Sequence, residues 1–130
     1  MATLKISDLS VGDWVMVECP DGERWRGRLI RLSVTGGVEV CCANGKHVRC
    51  SSDFISSIPA TAEILEANGI HRTYEDDKYA IFRGDGLWAV KYSDGDWELS
   101  MPPVCRVDIK YVHQLQHALR LAGVGKEINL

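Results

Sequence analysis

The spacing of apolar residues changes character near residue 58. Before that point apolar positions fall in short runs, Trp14–Cys19, Trp25–Val34, Val38–Cys42 and Lys46–Cys50, separated by Pro20-Asp21-Gly22, Thr35-Gly36-Gly37 and Asn44-Gly45. Proline presets φ and glycine accepts the positive φ of a reversal, so each separator is a turn with a mechanism. Upstream, Leu4–Ser10 reads as a capped turn, and Gly12-Asp13 as a tight corner feeding the first strand. Four or five short strands with no helix between them indicate a small, strongly bent antiparallel barrel. Within Trp25–Val34 the apolar parity switches, from Trp25 and Leu29 on odd positions to Ile30, Leu32 and Val34 on even ones. That switch predicts a bend at Gly27 or a bulge nearby.

Ile58-Pro59 marks a boundary, because the residue before proline avoids the α region. Beyond it, Thr61 is an N-cap, Glu63 lies in the first turn, and Asn68-Gly69 ends a two-turn helix. The polar stretch Arg72–Lys78 reads as a loop. Tyr79–Arg83, Leu87–Tyr92 and Trp97–Ser100 then form a three-stranded meander, turned by Gly84-Asp85-Gly86 and Ser93-Asp94-Gly95 and broken by Pro102-Pro103. Tyr111, Val112, Leu115, Ala118, Leu119 and Ala122 recur at three- and four-residue spacing, the mark of an amphipathic helix. Asp108 is its expected N-cap and Gly123 its C′ residue, and Ile128 and Leu130 offer a last edge strand. The expected fold is α+β: an SH3-like antiparallel barrel over residues 1–58, packed on a unit over 59–130 with a three-stranded meander and two helices.

With 130 residues, 45% hydrophobic and 25% charged, the chain has the composition of an ordinary globular protein, which excludes disordered, collagenous and disulfide-rich classes. Its longest apolar run, Trp14-Val15-Met16-Val17, is too short for a membrane span or a signal-peptide core. The reading is therefore a cytoplasmic protein with no membrane partner. Fifteen basic against eighteen acidic residues give a net charge of −3, so nucleic-acid binding would need a local patch.

The five cysteines lack C-x-x-C spacing, and the run Cys41–Cys50 packs three of them beside His47. Asn44-Gly45, read as a two-residue hairpin turn, pairs Ala43 with Lys46, Cys42 with His47, Cys41 with Val48 and Glu39 with Cys50. That register puts Cys42 and His47 on one face and Cys41 and Cys50 on the other, so four zinc ligands cannot converge. A Cys42–His47 nucleophilic dyad is compatible with it, but no orienting group or oxyanion site accompanies the pair.

Three segments resemble an uncharacterised family of small proteins carried on bacterial prophages and other mobile elements. They are Asp8-Leu9-x-x-Gly12-Asp13-Trp14-Val15, Ile58-Pro59-Ala60-Thr61-x-Glu63-Ile64-Leu65-x-x-Asn68-Gly69, and Tyr111-Val112-His113-Gln114-Leu115-Gln116-His117-Ala118-Leu119. The last is the specific part. The resemblance implies a cytoplasmic protein of mobile elements and transfers no activity to any residue. The first fifty residues are also similar in turn and strand spacing to SH3-like barrels of the KOW and Tudor kind.

Arg24, Arg26 and Arg28 alternate on one strand face near Arg31, and could track a phosphate backbone with Trp25 stacking a base. The competing picture is a solvated face whose charges meet Glu18 and Glu39 while Trp25 fills the barrel. His113 and His117 stand one turn apart, but no third metal ligand is identifiable and the glutamate of a zinc-protease helix is absent. With Gln114 and Gln116 they are candidates for contacting a partner. Asp94, Asp96 and Glu98 read as a polar hairpin, and Glu75-Asp76-Asp77 as a solvated loop. Phosphate loops, nucleophile elbows and paired-carboxylate motifs are missing. The expectation is a non-enzymatic protein-binding module without cofactor or metal, the alternative a nucleic-acid-binding accessory protein using Arg24, Arg26, Arg28 and Arg31.

Overall fold

The computed structural model describes residues 8–19, 21–33, 35–84, 86–101, 104–123 and 126–130. The expectations for Leu4–Ser7, Pro20, Val34, Asp85 and Pro102-Pro103 lie outside the described residues. The chain divides into two compact units, Met1–Ile58 and Pro59–Leu130. Its strands form two antiparallel five-stranded sheets, one of them barrel-like, which with two helices make an α+β protein.

The first unit contains β1 (Trp14–Glu18), β2 (Arg24–Leu32), β3 (Gly37–Cys42), β4 (His47–Ser51), a single 3₁₀ turn at Ser52–Phe54 and β5 (Ile55–Ser56), in the order β4-β3-β2-β1-β5. The long β2 serves two neighbours. Arg24–Arg28 pair with β1, and from Gly27 onward the strand pairs with β3. Opposite β3 the register slips between Leu29 and Arg31, leaving Ile30 as the extra residue of a bulge. The apolar parity therefore switches at Ile30 rather than Gly27: Leu29 is buried, Ile30 is exposed, and Leu32 turns back against the core. Gly27 has its own constraint. A Cβ there would strike the Val40 side chain and lie 2.9 Å from the Cys41 carbonyl oxygen. Val15, Val17, Leu29, Val38, Val40, Cys42 and Ile55 form the core, with Trp25 packed against it.

The β3–β4 turn corrects the expected register. Cys42 N–H donates to the Lys46 carbonyl at 2.8 Å, Gly45 N–H donates to the Cys42 carbonyl at 2.9 Å, and Gly45 has φ +86°. This is a three-residue loop closed by a left-handed glycine, not a two-residue one. The pairs are consequently Cys41 with His47, Val40 with Val48, Glu39 with Arg49 and Val38 with Cys50.

The second unit contains α1 (Ala62–Ala67), β6 (His71–Glu75), β7 (Tyr79–Gly84), β8 (Leu87–Tyr92), β9 (Trp97–Met101), β10 (Val104–Ile109) and α2 (Val112–Leu121). The sheet order is β10-β9-β8-β7-β6, so the meander has five strands where three were expected. Arg72–Lys78 is not simply a loop, because β6 occupies its first part. All five β6 residues are exposed, and an edge strand with no buried side shows no apolar alternation to be read.

Thr61 caps α1 by accepting the Ile64 N–H at 3.3 Å. Beyond it Gly69, at φ +83°, lets Ile70 N–H donate to the Leu65 carbonyl at 3.0 Å, which closes the helix in a Schellman arrangement. For α2 the N-cap is Tyr111 rather than Asp108, which still pairs with Glu98 inside the sheet. Gln114 Oε1 supplies the capping oxygen, accepting the Lys110 and Tyr111 N–H groups at 2.8 and 3.1 Å. The tail 126–130 is not a strand. Instead the Asn68 amide imitates a neighbouring peptide: Nδ2 donates to the Asn129 carbonyl at 2.9 Å while Oδ1 accepts its N–H at 2.8 Å, and Ile128 is buried. At the centre, Trp97 packs 5.2 Å from Phe82 and its indole N–H donates to the Ala60 carbonyl at 3.0 Å.

Two stability measurements check this packing. Gly27→Ala should lower unfolding free energy by about 1–3 kcal/mol, because the new methyl overpacks against backbone as well as side chain. Leu115→Asp, on the fully buried stripe of α2, should cost more, about 3–5 kcal/mol. Denaturant titration gives both values, and an unchanged midpoint for either variant would contradict the packing described.

Candidate functional site

The arginine face of β2 is largely committed to neighbours. Arg24 lies 2.8 Å from Glu18, and Arg28 stacks over the Trp14 ring at 4.9 Å. Arg31, Arg49 and His47 surround Glu39 at 3.9, 3.7 and 3.6 Å. Arg26 is exposed, while Trp25 is turned toward the core and away from the arginines.

The cysteines follow the corrected register. Cys42 lies in the core and Cys50 packs against it, whereas Cys41 shares the outer face with His47. The Cys42–His47 dyad is thereby dissolved, since a one-residue slip exchanges the faces of a strand. Burial raises the Cys42 and Cys50 thiol pKa values, with neighbouring thiols adding to the effect.

On α2 the His-Gln string is split between roles. His113 is 3% exposed and stacks on Tyr111 at 5.9 Å, with His117 edge-on at 5.8 Å. Gln114 is engaged in the helix cap. Gln116 and His117 are half-buried. Among the described residues no three His, Cys, Asp or Glu side chains gather as a cation site would require.

The acidic turns are also internally engaged. Asp76 accepts the Lys78 and Tyr79 N–H groups at 2.8 and 3.0 Å and the Tyr74 hydroxyl at 3.0 Å. Those backbone donors hold its pKa below the usual carboxylate value, and the carboxylate in turn raises that of Tyr74. Asp94 accepts the Asp96 N–H at 2.9 Å, Asp96 lies 3.6 Å from Lys110, and Glu98 lies 3.3 Å from Arg106.

What the structure brings together is a surface that the sequence reading missed. On the outer side of the second sheet, register places Tyr74, Ile81, Val90, Glu98 and Asp108 in one row. A second row holds His71, Arg83, Trp88, Ser100 and Arg106, and Tyr79 pairs with Tyr92 at the other end. Tyr74, Trp88 and Tyr92 are 48%, 44% and 39% exposed, while the alternate positions Ala80, Phe82, Leu87, Ala89 and Leu99 are buried on the inner side. The Arg83 guanidinium lies 3.9 Å over Trp88, and Tyr74 stands 5.7 Å from Tyr79. The signal was present in Leu87–Tyr92, which is apolar on both parities.

No protein-family model matches the chain, and no curated protein or solved structure is similar to it. No helix among the described residues is long and apolar enough to cross a membrane.

The thiol placement gives a pH-dependent test. Alkylation followed by peptide mass spectrometry should label Cys41 before Cys42 at mildly alkaline pH. A folded-state pKa raised by burial also means stability is complete below the ordinary thiol range and falls as pH rises through it. Replacing Cys42 with Ser should flatten that alkaline decline, and an unchanged decline would contradict the assignment.

Proposed function

We propose that the protein is a non-enzymatic, cytoplasmic protein-binding module of the kind carried on prophages and mobile elements, with the outer face of its second sheet as the contact surface. The observation that carries this reading is the exposure of Tyr74, Trp88 and Tyr92 on one rigid sheet face, since aromatic anchors on a fixed scaffold dominate protein interfaces. The first unit is proposed to be an SH3-like barrel. Its order β4-β3-β2-β1-β5, the bulged long β2 and the 3₁₀ turn before β5 support that assignment.

Phosphate tracking by Arg24, Arg26, Arg28 and Arg31 is the weaker reading, because Glu18 and Glu39 already lie against three members of the wider basic group, Arg24, Arg31 and Arg49. The two readings separate in one experiment. Tagged protein recovered from its native host, with and without nuclease, should retain a protein partner that survives nuclease treatment and moderate salt. Trp88→Ala should weaken that retention by about tenfold or more with the fold intact by circular dichroism. Recovery that depends on nucleic acid, collapses steeply with salt and responds to Arg26→Ala instead of Trp88→Ala would establish the other reading.

A further inference from the structure

Resting on that docking reading, we propose that the partner seated on the outer face of the second sheet is a second copy of the same face, in a two-fold antiparallel pair. The charge arrangement along the face selects this occupant. One end carries the row of His71, Arg83 and Arg106 around Trp88, joined by the ladder pairs His71 with Arg83, Arg83 with Trp88 and Trp88 with Ser100. The opposite end carries Tyr79 and Tyr92, bordered by the turn carboxylates of Asp76, Asp94 and Asp96, with Asp108 one row in. Ile81 and Val90 lie between the two ends.

A face that is basic at one end, apolar in the middle and acidic at the other repels a copy laid parallel to it and attracts one turned around. A two-fold axis through the Ile81–Val90 pair supplies that arrangement, because an isologous interface sets each patch against its complement twice. The charges best placed to reach across have no competing ion pair. Arg83 stacks on Trp88, and neither it nor Asp94 or Asp108 forms an ion pair among the described residues. Asp94, Asp96 and Asp108 border an open cavity of about 380 Å³ whose wall includes Trp97 and Ile109. It provides an acidic recess on each copy for the arginine end of the other. Arg106 and Asp96 already have internal partners, Glu98 and Lys110, and contribute as exposed members of those pairs.

The test is sedimentation velocity on the full chain over a dilution series, with two charge-reversed variants. Arg83→Glu with Arg106→Glu makes both ends acidic, and Asp96→Lys with Asp108→Lys makes both ends basic. Wild-type protein should sediment at twice the chain mass at high concentration. Each variant alone should be monomeric at concentrations about tenfold above the wild-type midpoint, and an equal mixture of the two should restore the dimer. Misfolding cannot produce that rescue. Trp88→Ala supplies a second, charge-neutral route to the monomer. A wild-type dimer insensitive to all three variants overturns the proposal by placing the interface elsewhere. A wild-type monomer throughout overturns it as well. In that case a Trp88-dependent partner in the recovery experiment leaves the docking reading standing, and recovery indifferent to Trp88→Ala removes both.

Discussion

Turn length is the constraint on which the two sheets depend. Side chains on a strand alternate with a period of two, so the number of residues in a hairpin loop decides which side chains face the core. Here one closure recurs. Gly22, Gly36, Gly45 and Gly95 all have φ between +86° and +94°, and each donates its N–H to the carbonyl three residues earlier, on Cys19, Ser33, Cys42 and Tyr92. In three of these turns an Asp or Asn side chain, Asp21, Asn44 or Asp94, accepts the N–H two residues on. The repeated closure fixes β1 against β2, β2 against β3, β3 against β4 and β8 against β9, and with them the parity of every buried row.

That parity explains why the outer face of the second sheet is aromatic. In Leu87–Tyr92 the inner positions Leu87 and Ala89 are buried, and the outer positions Trp88, Val90 and Tyr92 are apolar as well. A strand of this kind resembles one buried on both sides. Buried Val112, Leu115 and Leu119 of α2 and Ile64 and Leu65 of α1 give the unit its apolar core. The apolar area left on the outer side is a cost in water that packing inside the unit does not offset. A second surface laid over it removes that cost.

Much of the fold was legible because it rests on local chemistry. Thr61, Asn68-Gly69 and Gly123 do what their types dictate at helix ends, and the parity switch in β2 correctly signalled a bulge. The failures share a cause: the deciding partner lay far away in sequence or off the apolar pattern. β6 is held by backbone pairing to β7 and buries no side of itself. Asp108 looked like a cap because the pairing of β10 with β9 cannot be seen in the residues around it. Asn-Gly is compatible with two loop lengths, and choosing the shorter moved Cys42 beside His47. The outer face went unread because each of its members makes sense alone as a strand residue, and only the five-strand register brings them together.

The net charge of −3 says little about how those surfaces behave, because the charges are distributed in local groups. Arg24 faces Glu18, Arg31 and Arg49 share Glu39, and Arg72 bridges Glu66 and Glu75 at 3.2 and 2.6 Å. Exposed pairs of this kind add only about 0–1 kcal/mol each to stability. Their consequence is for binding. A phosphate approaching β2 must compete with Glu18 and Glu39 for guanidinium groups those carboxylates already hold. At the second sheet, Arg83 holds only the Trp88 ring, and Asp108 forms no ion pair among the described residues. Electrostatic attraction is therefore most available where the apolar area is also exposed, and that coincidence favours a protein surface over a nucleic-acid backbone as the occupant.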